Sequence, residues 1–270
     1  MDLFFTAYVA VIIFVFGTVI GSFLNVLIYR LPIGMDFKKG RSICTTCKHE
    51  LNWKDLFPLF SWLFLRGKCR YCKAKISSRY PIVEALNGVM YVLVYLFLAG
   101  GNAFEGLFSL KLLGYMILMS SLIVVSWVDF EHQIIPDSMW IAIFVGGIFI
   151  ILDSVVNKTF NKDFLISKLI GLVAVSGLFF LIALVTQGRA MGGGDIKLMA
   201  ACGFVLGWKA VIISLFAGAL FGVLFAVGRK LFAKKEMLGI VPFGPFLSMG
   251  VALCAFFGES FFDMYLNLFA

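Results

Sequence analysis

Eight long stretches without a charged residue recur along the chain, separated by short polar segments and by one long one, residues 30–84. A helix needs about 20 apolar residues, with a range of roughly 17 to 25, to cross the hydrocarbon of a bilayer. Six of the uncharged stretches meet this length: 3–29, 85–104, 112–128, 169–188, 210–228 and 237–258.

Two further stretches, 138–152 and 198–208, are shorter. The first reaches spanning length if Ile134, Ile135 and Pro136 begin its helix. The second does so only if its helix starts in the preceding glycines and includes Asp195. We therefore predict eight crossings, of which the sixth has the weakest pattern.

Composition agrees with this pattern. The 270 residues are 61% hydrophobic and 14% charged, whereas soluble domains are about 45–50% apolar and about 25% charged. The sequence predicts an all-α polytopic membrane protein with about eight transmembrane helices. The first stretch has no basic region before it and is too long for a secretory signal, so we expect it to remain as a helix.

The positions of Lys and Arg predict the orientation. With the N-terminus outside, the cytoplasmic segments 30–84, 129–137, 187–197 and 229–236 hold 18 of the 23 basic residues. This distribution agrees with the positive-inside rule. Contacts of basic residues with anionic lipid also account for the net charge of +8, so we expect no nucleic acid partner.

Residues 30–84 resemble a water-soluble module and carry two C-x-x-C pairs separated by 21 residues. Such pairs are typical of a tetrahedral four-cysteine zinc site. We expect a structural zinc, because four cysteines leave no open position for water. Redox pairs or unligated cysteines are the alternatives. The predicted ligands are Cys44, Cys47, Cys69 and Cys72.

Three acids press against apolar stretches near the predicted cytoplasmic face: Asp129, Asp137 and Asp195. Ionisable groups at membrane depth are costly and by default mark a functional site or have a partner. Asp137 follows Pro136 and has an ordinary interpretation as a first-turn residue of a helix. Asp129 and Asp195 have no such simple account.

Asp129 and Asp195 each lie at the cytoplasmic boundary of a predicted helix. Two carboxylates within hydrogen-bonding distance do not both ionise easily, so one retains a proton while the other activates a water molecule, as in aspartic proteases. The alternatives are charge pairing with Lys197, Arg189 or His132, and ion or proton relay in a transporter.

Three glycines, Gly192, Gly193 and Gly194, precede Asp195. Without side chains they leave backbone groups accessible to another strand, and unwound backbone at this depth is tolerated only against protein or water. We therefore interpret them as a substrate-binding gap beside the acids.

Several segments together resemble the type IV prepilin peptidases, which are bacterial inner-membrane aspartic proteases. The segments occur in the order of that family over nearly the whole chain: GSFLNVLIYRLP, LFPLFSWLFLRGKCRYC, SSRYPIVEALNG, VDFEHQIIPD, GGGDIKLMA and PFGPFLSMG.

The resemblance implies that Asp129 and Asp195 are the catalytic pair and that the active site faces the cytoplasm. It also implies cleavage of the basic leader of a prepilin or pseudopilin after a glycine. Many members then methylate the new N-terminal residue, usually Phe, with S-adenosylmethionine. Methylation rests on the resemblance alone, because the sequence has no glycine-rich nucleotide fingerprint after a strand.

A basic leader would be repelled by so basic a domain unless acids line its path. Glu84 and Glu131 are the better candidates, because each lies beside an apolar segment at the membrane boundary. Asp137, Glu50 and Asp55 are further candidates, and a solvated loop charge is the alternative for all of them.

We divide the chain into a first transmembrane helix (1–29), a cytoplasmic zinc-binding domain (30–84) and a catalytic bundle containing helices 2–8 (85–270). The runner-up functions are another intramembrane aspartic protease with the G-x-G-D pattern and a proton-coupled transporter. The first would not need the four-cysteine module. The second tends to show internal repeats, and we find none that is convincing.

Overall fold

A computed structural model of the chain describes residues 2–37, 40–99, 107, 109–232 and 242–267. In this part of the chain the regular structure is helical, apart from two isolated β-bridges. The helices are α1 (Asp2–Arg30), α2 (Phe60–Phe64), α3 (Arg79–Ala99), α4 (Leu110–His132), α5 (Asp137–Val156), α6 (Lys162–Val185), α7 (Gly193–Leu206), α8 (Trp208–Phe232) and α9 (Gly244–Asn267), with a 3-10 turn at Trp53–Asp55.

Six of the described helices, namely α1, α3, α4, α5, α6 and α8, are long and apolar enough to cross a membrane. The predicted all-helical membrane fold is confirmed. Helix α7 has 14 residues, which at 1.5 Å per residue extends about 21 Å and falls short of the roughly 30 Å hydrocarbon core. In α9 the apolar portion is Gly244–Gly258. The number of eight crossings stays a prediction.

The chain forms two compact units, residues 1–108 and 109–270. The first contains α1, the cysteine-rich segment and α3, and the second contains α4 to α9. The division that we predicted, into a first helix (1–29), a zinc-binding domain (30–84) and a catalytic bundle (85–270), stays a prediction.

In the first unit α1 and α3 pack antiparallel through small and polar residues. A Cβ atom on Gly21 would lie 2.7 Å from Cα of Glu84, so only glycine permits this approach. One turn to either side along α1, Asn25 Nδ2 donates to the Tyr80 carbonyl (3.1 Å) and the Gly17 carbonyl accepts from Asn87 Nδ2 (2.7 Å). The small-residue face of the first helix therefore packs against its neighbour α3, as expected for membrane helices.

The second unit consists of three helical hairpins, α4–α5, α6–α7 and α8–α9. Each hairpin is closed by glycine contacts between backbones. Gly114 meets Gly146 in the first hairpin and Gly171 meets Gly203 in the second. In the third hairpin, a Cβ atom on Gly250 would lie 2.3 Å from the Ser214 carbonyl oxygen.

Helix α7 is the central element of the second unit, because it contacts α5, α6, α8 and α9. Its side chains at Leu198, Met199, Cys202 and Val205 are fully buried. A short helix surrounded in this way obtains its stability from packing, and its position is fixed by its neighbours rather than by its own length.

We expect Gly203→Val to destabilise the second unit, because any Cβ at residue 203 would lie 2.0 Å from the Gly171 carbonyl oxygen. Overpacking of this kind costs about 1–3 kcal/mol, occasionally more. The measurement is the Tm of purified protein in detergent. Gly228→Val is the matched control, since nothing lies within 4 Å of a Cβ there. Equal Tm values for the two variants would contradict the glycine contact.

Candidate active site

Asp129 lies in the last turn of α4 and is 7% exposed. The helix ends at His132, where Gln133 adopts a left-handed conformation (φ 56°) and donates to the Asp129 carbonyl. A carboxylate is disfavoured at the C-terminus of its own helix. The N-terminus of α9 offsets this, because the Gly244 amide donates to Asp129 Oδ2 at 2.9 Å.

Residue 244 lies so close to the carboxylate that a side chain there would collide with it. A Cβ atom there would lie 2.7 Å from Asp129 Oδ2 and 3.0 Å from its carboxyl carbon. Sequence reasoning assigned no role to Gly244, although it lies in the PFGPFLSMG segment. The Gly-Pro pair at the start of a helix was a usable signal, because helix N-termini present free amides to anions.

Asp195 lies in the first turn of α7, whose N-cap is Gly192. The Gly192 amide hydrogen-bonds to the Asp195 carboxylate, and the charge of Asp129 acts on the same carboxylate. Within the described residues, the buried Oδ1 of Asp195 has no hydrogen-bond partner. The structure therefore brings the two predicted acids together, with one carboxylate oxygen left for a further partner.

The three glycines before Asp195 have different surroundings. A Cβ atom on Gly194 would lie 2.9 Å from Cβ of Ile135, so this glycine lets the start of α7 approach the segment that follows α4. Gly192 adjoins the Asp195 carboxylate, whereas nothing lies within 4 Å of a Cβ on Gly193. Gly193 and Gly194 begin α7 instead of forming an unwound strand. Their role in substrate binding stays a prediction.

Lys197, which we considered as an alternative partner for the two acids, pairs with Asp137 instead. The distance from Nζ to Oδ1 is 2.7 Å, and Trp140 Nε1 donates to the same oxygen at 2.8 Å. Both charged side chains are at least half exposed, so the pair contributes about 0–1 kcal/mol. It links the first turn of α5 to the second turn of α7.

The other predicted acids lie apart from the two aspartates or in the first unit. Glu131 is exposed beside His132, 4.0 Å from its Nε2. Glu84 belongs to the first unit and is 7% exposed. Its Oε2 accepts from the Leu59 amide at 2.8 Å. Their proposed contact with a leader stays a prediction.

The four predicted cysteine ligands come together in the first unit, with all sulfur atoms within 4.8 Å of one another. Each pair occupies a similar turn. Cys44 donates its amide to the His49 carbonyl (2.9 Å), and Cys69 donates to Ala74 (2.8 Å). A bridge flanks each turn, Ile43 with Glu50 and Lys68 with Lys75, and Lys48 and Lys73 both have φ 60°.

The sulfur geometry fits a tetrahedral metal ion. Zinc–sulfur bonds of about 2.3 Å require sulfur–sulfur distances of about 3.8 Å, and Cys44 Sγ lies 3.9 Å from Cys72 Sγ. The cluster can therefore bind a metal ion.

The charge state of the cluster also favours a cation. The Cys47 amide, with that of Thr46, lowers the pKa of the Cys44 thiol to about 6. At Cys72 the Ala74 amide favours the thiolate. Desolvation and hydrogen bonds with the other three cysteines outweigh it and raise the pKa of Cys72 to about 11. Four adjacent thiolates thus need a cation to become fully ionised.

A side-chain network holds the two cysteine turns together. The Tyr71 ring contacts the His49 ring at a tilt of 40°, with centroids 3.7 Å apart. The Tyr71 hydroxyl donates to Asp55 Oδ2 (3.1 Å), and Arg70 Nε contacts Asp55 Oδ1 at 2.6 Å. Asp55 therefore has a structural partner within the module, as does Glu50, which pairs with Arg41 at 3.0 Å.

These features define a multi-pass helical membrane protein with a four-cysteine module that can hold a metal ion, and with a buried Asp129 paired with a half-buried Asp195. Residues 15–98 match the family described as Bacterial Peptidase A24 N-terminal domain, and residues 116–227 match the Type IV leader peptidase family. The two matches contain the cysteine cluster and the aspartates respectively. The chain belongs to the type IV leader peptidase family, and the resemblance predicted from the sequence is confirmed.

Curated relatives named prepilin leader peptidase/N-methyltransferase are similar over most of their length. The protein of Aeromonas hydrophila is 32% identical over 283 residues, covering 96% of this chain and 94% of the relative. That of Bacillus subtilis (strain 168) is 32% identical over 259 residues, covering 95% and 98%. That of Myxococcus xanthus (strain DK1622) is 36% identical over 226 residues, covering 82% and 64%. No solved structure matches the chain significantly.

Proposed function

We propose that this protein is a membrane aspartic endopeptidase that removes the leader peptide of type IV prepilins or pseudopilins and then N-methylates the new N-terminal residue. Family membership and the names of relatives that align over nearly the whole chain support both activities. The preferred substrate has a basic leader that ends in glycine, followed by an apolar helix that usually begins with Phe.

The observation that carries the proposal is the pairing of Asp129 and Asp195 at the ends of α4 and α7. In a site shielded from water, two neighbouring carboxylates favour the state in which only one is ionised. Such a pair supplies one base and one acid, which peptide hydrolysis requires.

In the proposed reaction, the ionised carboxylate takes a proton from a water molecule as the water oxygen attacks the scissile carbonyl carbon. The protonated carboxyl gives its proton to the carbonyl oxygen, which produces a neutral tetrahedral diol. The first carboxyl then passes its proton to the amide nitrogen as the carbon–nitrogen bond breaks. The second carboxylate recovers a proton from the diol as the new acid forms. The unpartnered Oδ1 of Asp195 is a suitable acceptor for that water.

We propose that the site faces the cytoplasm of a bacterial inner membrane. The described connections 133–136 and 186–192 adjoin Asp129 and Asp195 in the chain, and Gly244 at the start of α9 contacts Asp129. Segments 30–84, 129–137, 187–197 and 229–236 hold 18 of the 23 Lys and Arg residues, as the positive-inside rule requires of cytoplasmic segments.

We propose zinc as the ion of the four-cysteine site, with a structural role. Four thiolate ligands complete a tetrahedral shell, and the module has only short elements with which to stabilise itself. Cys44, Cys47, Cys69 and Cys72 would hold the ion, and binding energy of this kind contributes directly to folding.

S-adenosylmethionine is the proposed methyl donor. The described residues form two isolated bridges and no parallel sheet, so they do not provide the strand–glycine loop–helix site by which many proteins bind nucleotides. We assign no residue to the donor.

Asp129→Asn and Asp195→Asn should each reduce leader cleavage by at least about 10²–10⁴-fold, because general acid–base catalysis contributes that much. The double variant should be no worse than either single variant, since the two groups act as a unit. Leader release from a purified prepilin is measured by mass spectrometry. Asp163→Asn, an exposed first-turn acid of α6, is the control. Full cleavage by either variant would exclude the pair.

Gly244→Ala should lower kcat with little change in KM, because a Cβ at 2.7 Å displaces the Asp129 carboxylate. A misplaced catalytic group typically costs about 10²-fold. Gly222→Ala is the control, since its nearest neighbours lie 3.7 Å from the added Cβ. Unchanged kcat in a folded Gly244→Ala protein would show that the Gly244 contact does not position Asp129.

Metal analysis of the purified protein should find one zinc per chain. Cys44→Ala should abolish zinc binding, because three thiolates leave the tetrahedral shell incomplete. Cys254→Ala, at a buried cysteine of α9, should keep the ion. Absence of zinc from the unaltered protein would disprove the site. Retained zinc in Cys44→Ala would remove Cys44 from the ligand set.

A further inference from the structure

An uncharged segment of ten residues, LFPLFSWLFL at 56–65, lies within the cysteine-rich module and contains α2. Uncharged apolar segments of this length are typical of buried core helices or of re-entrant and interfacial segments. The outer side of the segment is exposed, which excludes a core helix. Its aromatic face consists of Phe57 (53% exposed), Phe60 (53%), Leu63 (64%) and Phe64 (79%).

The aromatic face is a continuous surface. The Phe57 and Phe60 rings have centroids 5.8 Å apart, and Phe60 and Phe64 are stacked at 6.3 Å. The opposite side of α2 is attached to the module, because the Trp62 ring packs on Gly67 and its Nε1 donates to the Ile76 carbonyl at 3.3 Å. Helix α2 therefore has one anchored side and one wholly apolar free side.

The contact with Glu84 fixes the position of the start of α2 along the axis of α3. Its carboxylate holds the Leu59 amide at the start of α2. Glu84 is five residues inside α3, which begins at Arg79. Side chains lean toward the N-terminus of their helix, so the carboxylate lies roughly one helical turn, about 5 Å, inside the start of α3.

At this level α3 already exposes apolar side chains on either side of Glu84, namely Ile82 (49%) and Leu86 (36%). Helix α3 is a membrane-spanning candidate from Arg79 onward. The start of α2 is thus held at the level of an apolar, exposed stretch of a membrane helix, and not beyond the end of that helix.

The backbone of the segment is also suited to an apolar environment, where unpaired amides are costly. Several of its amides donate within the protein. The Glu84 carboxylate accepts from the Leu59 amide. Four further amides donate to carbonyl groups within the segment: Phe60 to Pro58, Ser61 to Phe57, Leu63 to Leu59 and Leu65 to Ser61. The buried Glu84 carboxylate accepts a hydrogen bond from an amide at the start of α2, which has no acceptor within so short a helix.

Exposed basic residues flank the segment at both ends: Lys54 before it, and Arg66, Lys68 and Arg70 after it. Basic side chains at this position suit the anionic headgroups that border the hydrocarbon.

We propose that α2 is an interfacial helix whose aromatic face inserts into the lipid of the leaflet in which α1 ends and α3 begins. The cysteine-rich module is then fixed to the bilayer at three places, α1, α2 and α3. The lipid acyl boundary is the partner of this face, and Glu84 is the residue that holds α2 at this depth.

Tryptophan quenching by brominated lipids tests this placement. The native tryptophans other than Trp62, which anchors α2, are replaced by Phe, and Phe64→Trp is introduced. The full chain is reconstituted in nanodiscs, with the same protein lacking Phe64→Trp as the blank. We expect quenching by lipids brominated near the headgroup to exceed quenching by lipids brominated near the bilayer centre. Leu93→Trp on the exposed side of α3 is the deep reference, and Glu50→Trp on the exposed side of the module is the aqueous reference.

In a folded protein, Phe64→Trp emission that responds to aqueous acrylamide and not to brominated lipid would overturn the proposal and leave the face to a protein partner. If the protein with replaced tryptophans does not fold, a second measurement uses the chain with its native sequence. Hydroxyl-radical oxidation of Phe57, Phe60 and Phe64 should be weak in nanodiscs relative to Tyr71, which is 39% exposed. Oxidation equal to that of Tyr71 would overturn the proposal.

Discussion

The contact between Gly171 and Gly203 is the constraint on which the second unit depends. Because neither residue has a side chain, α6 and α7 touch through their backbones. This contact fixes the register of α7 against α6. It therefore also fixes the position of the first turn of α7. Asp195 lies in that turn, two helical turns from Gly203. A change of one residue in the register would move its carboxylate by about 1.5 Å along the axis and rotate it by about 100°.

Both acids are stabilised by the amides of helix N-termini, although only Asp195 lies at the N-terminus of its own helix. Asp129 ends α4, where the helix dipole disfavours a negative charge, and the start of α9 supplies the missing amide. The site is thus assembled from one C-terminus and two N-termini. Each carboxylate thus has a backbone partner that does not titrate.

The sequence was sufficient for the helical membrane fold and the cysteine cluster, and it singled out Asp129 and Asp195, whose pairing as catalytic residues was implied by the family resemblance. These features depend on local composition, on ligand spacing and on acids in apolar surroundings. The Gly-Pro pair could have indicated an anion-binding helix start, but Asp129 could not be identified as its partner, because the contact joins residues 115 positions apart and depends on how α9 packs. The partner of Glu84 was equally hidden, since a backbone amide carries no signal in the sequence. The pairing of Lys197 with Asp137 required the register of α5 against α7.

The glycines before Asp195 illustrate how one motif serves several physical needs. Gly194 is required by the approach of Ile135 and is explained by the fold of the unit alone, whereas a Cβ on Gly192 would make only a tight contact with the Asp195 carboxylate, at 3.2 Å. Gly193 is different, because no described atom lies near its Cβ position. Packing therefore gives no reason for glycine at residue 193. The open space at Gly193, two residues before the acid that carries the unpartnered carboxylate oxygen, is the part of the motif that packing does not account for.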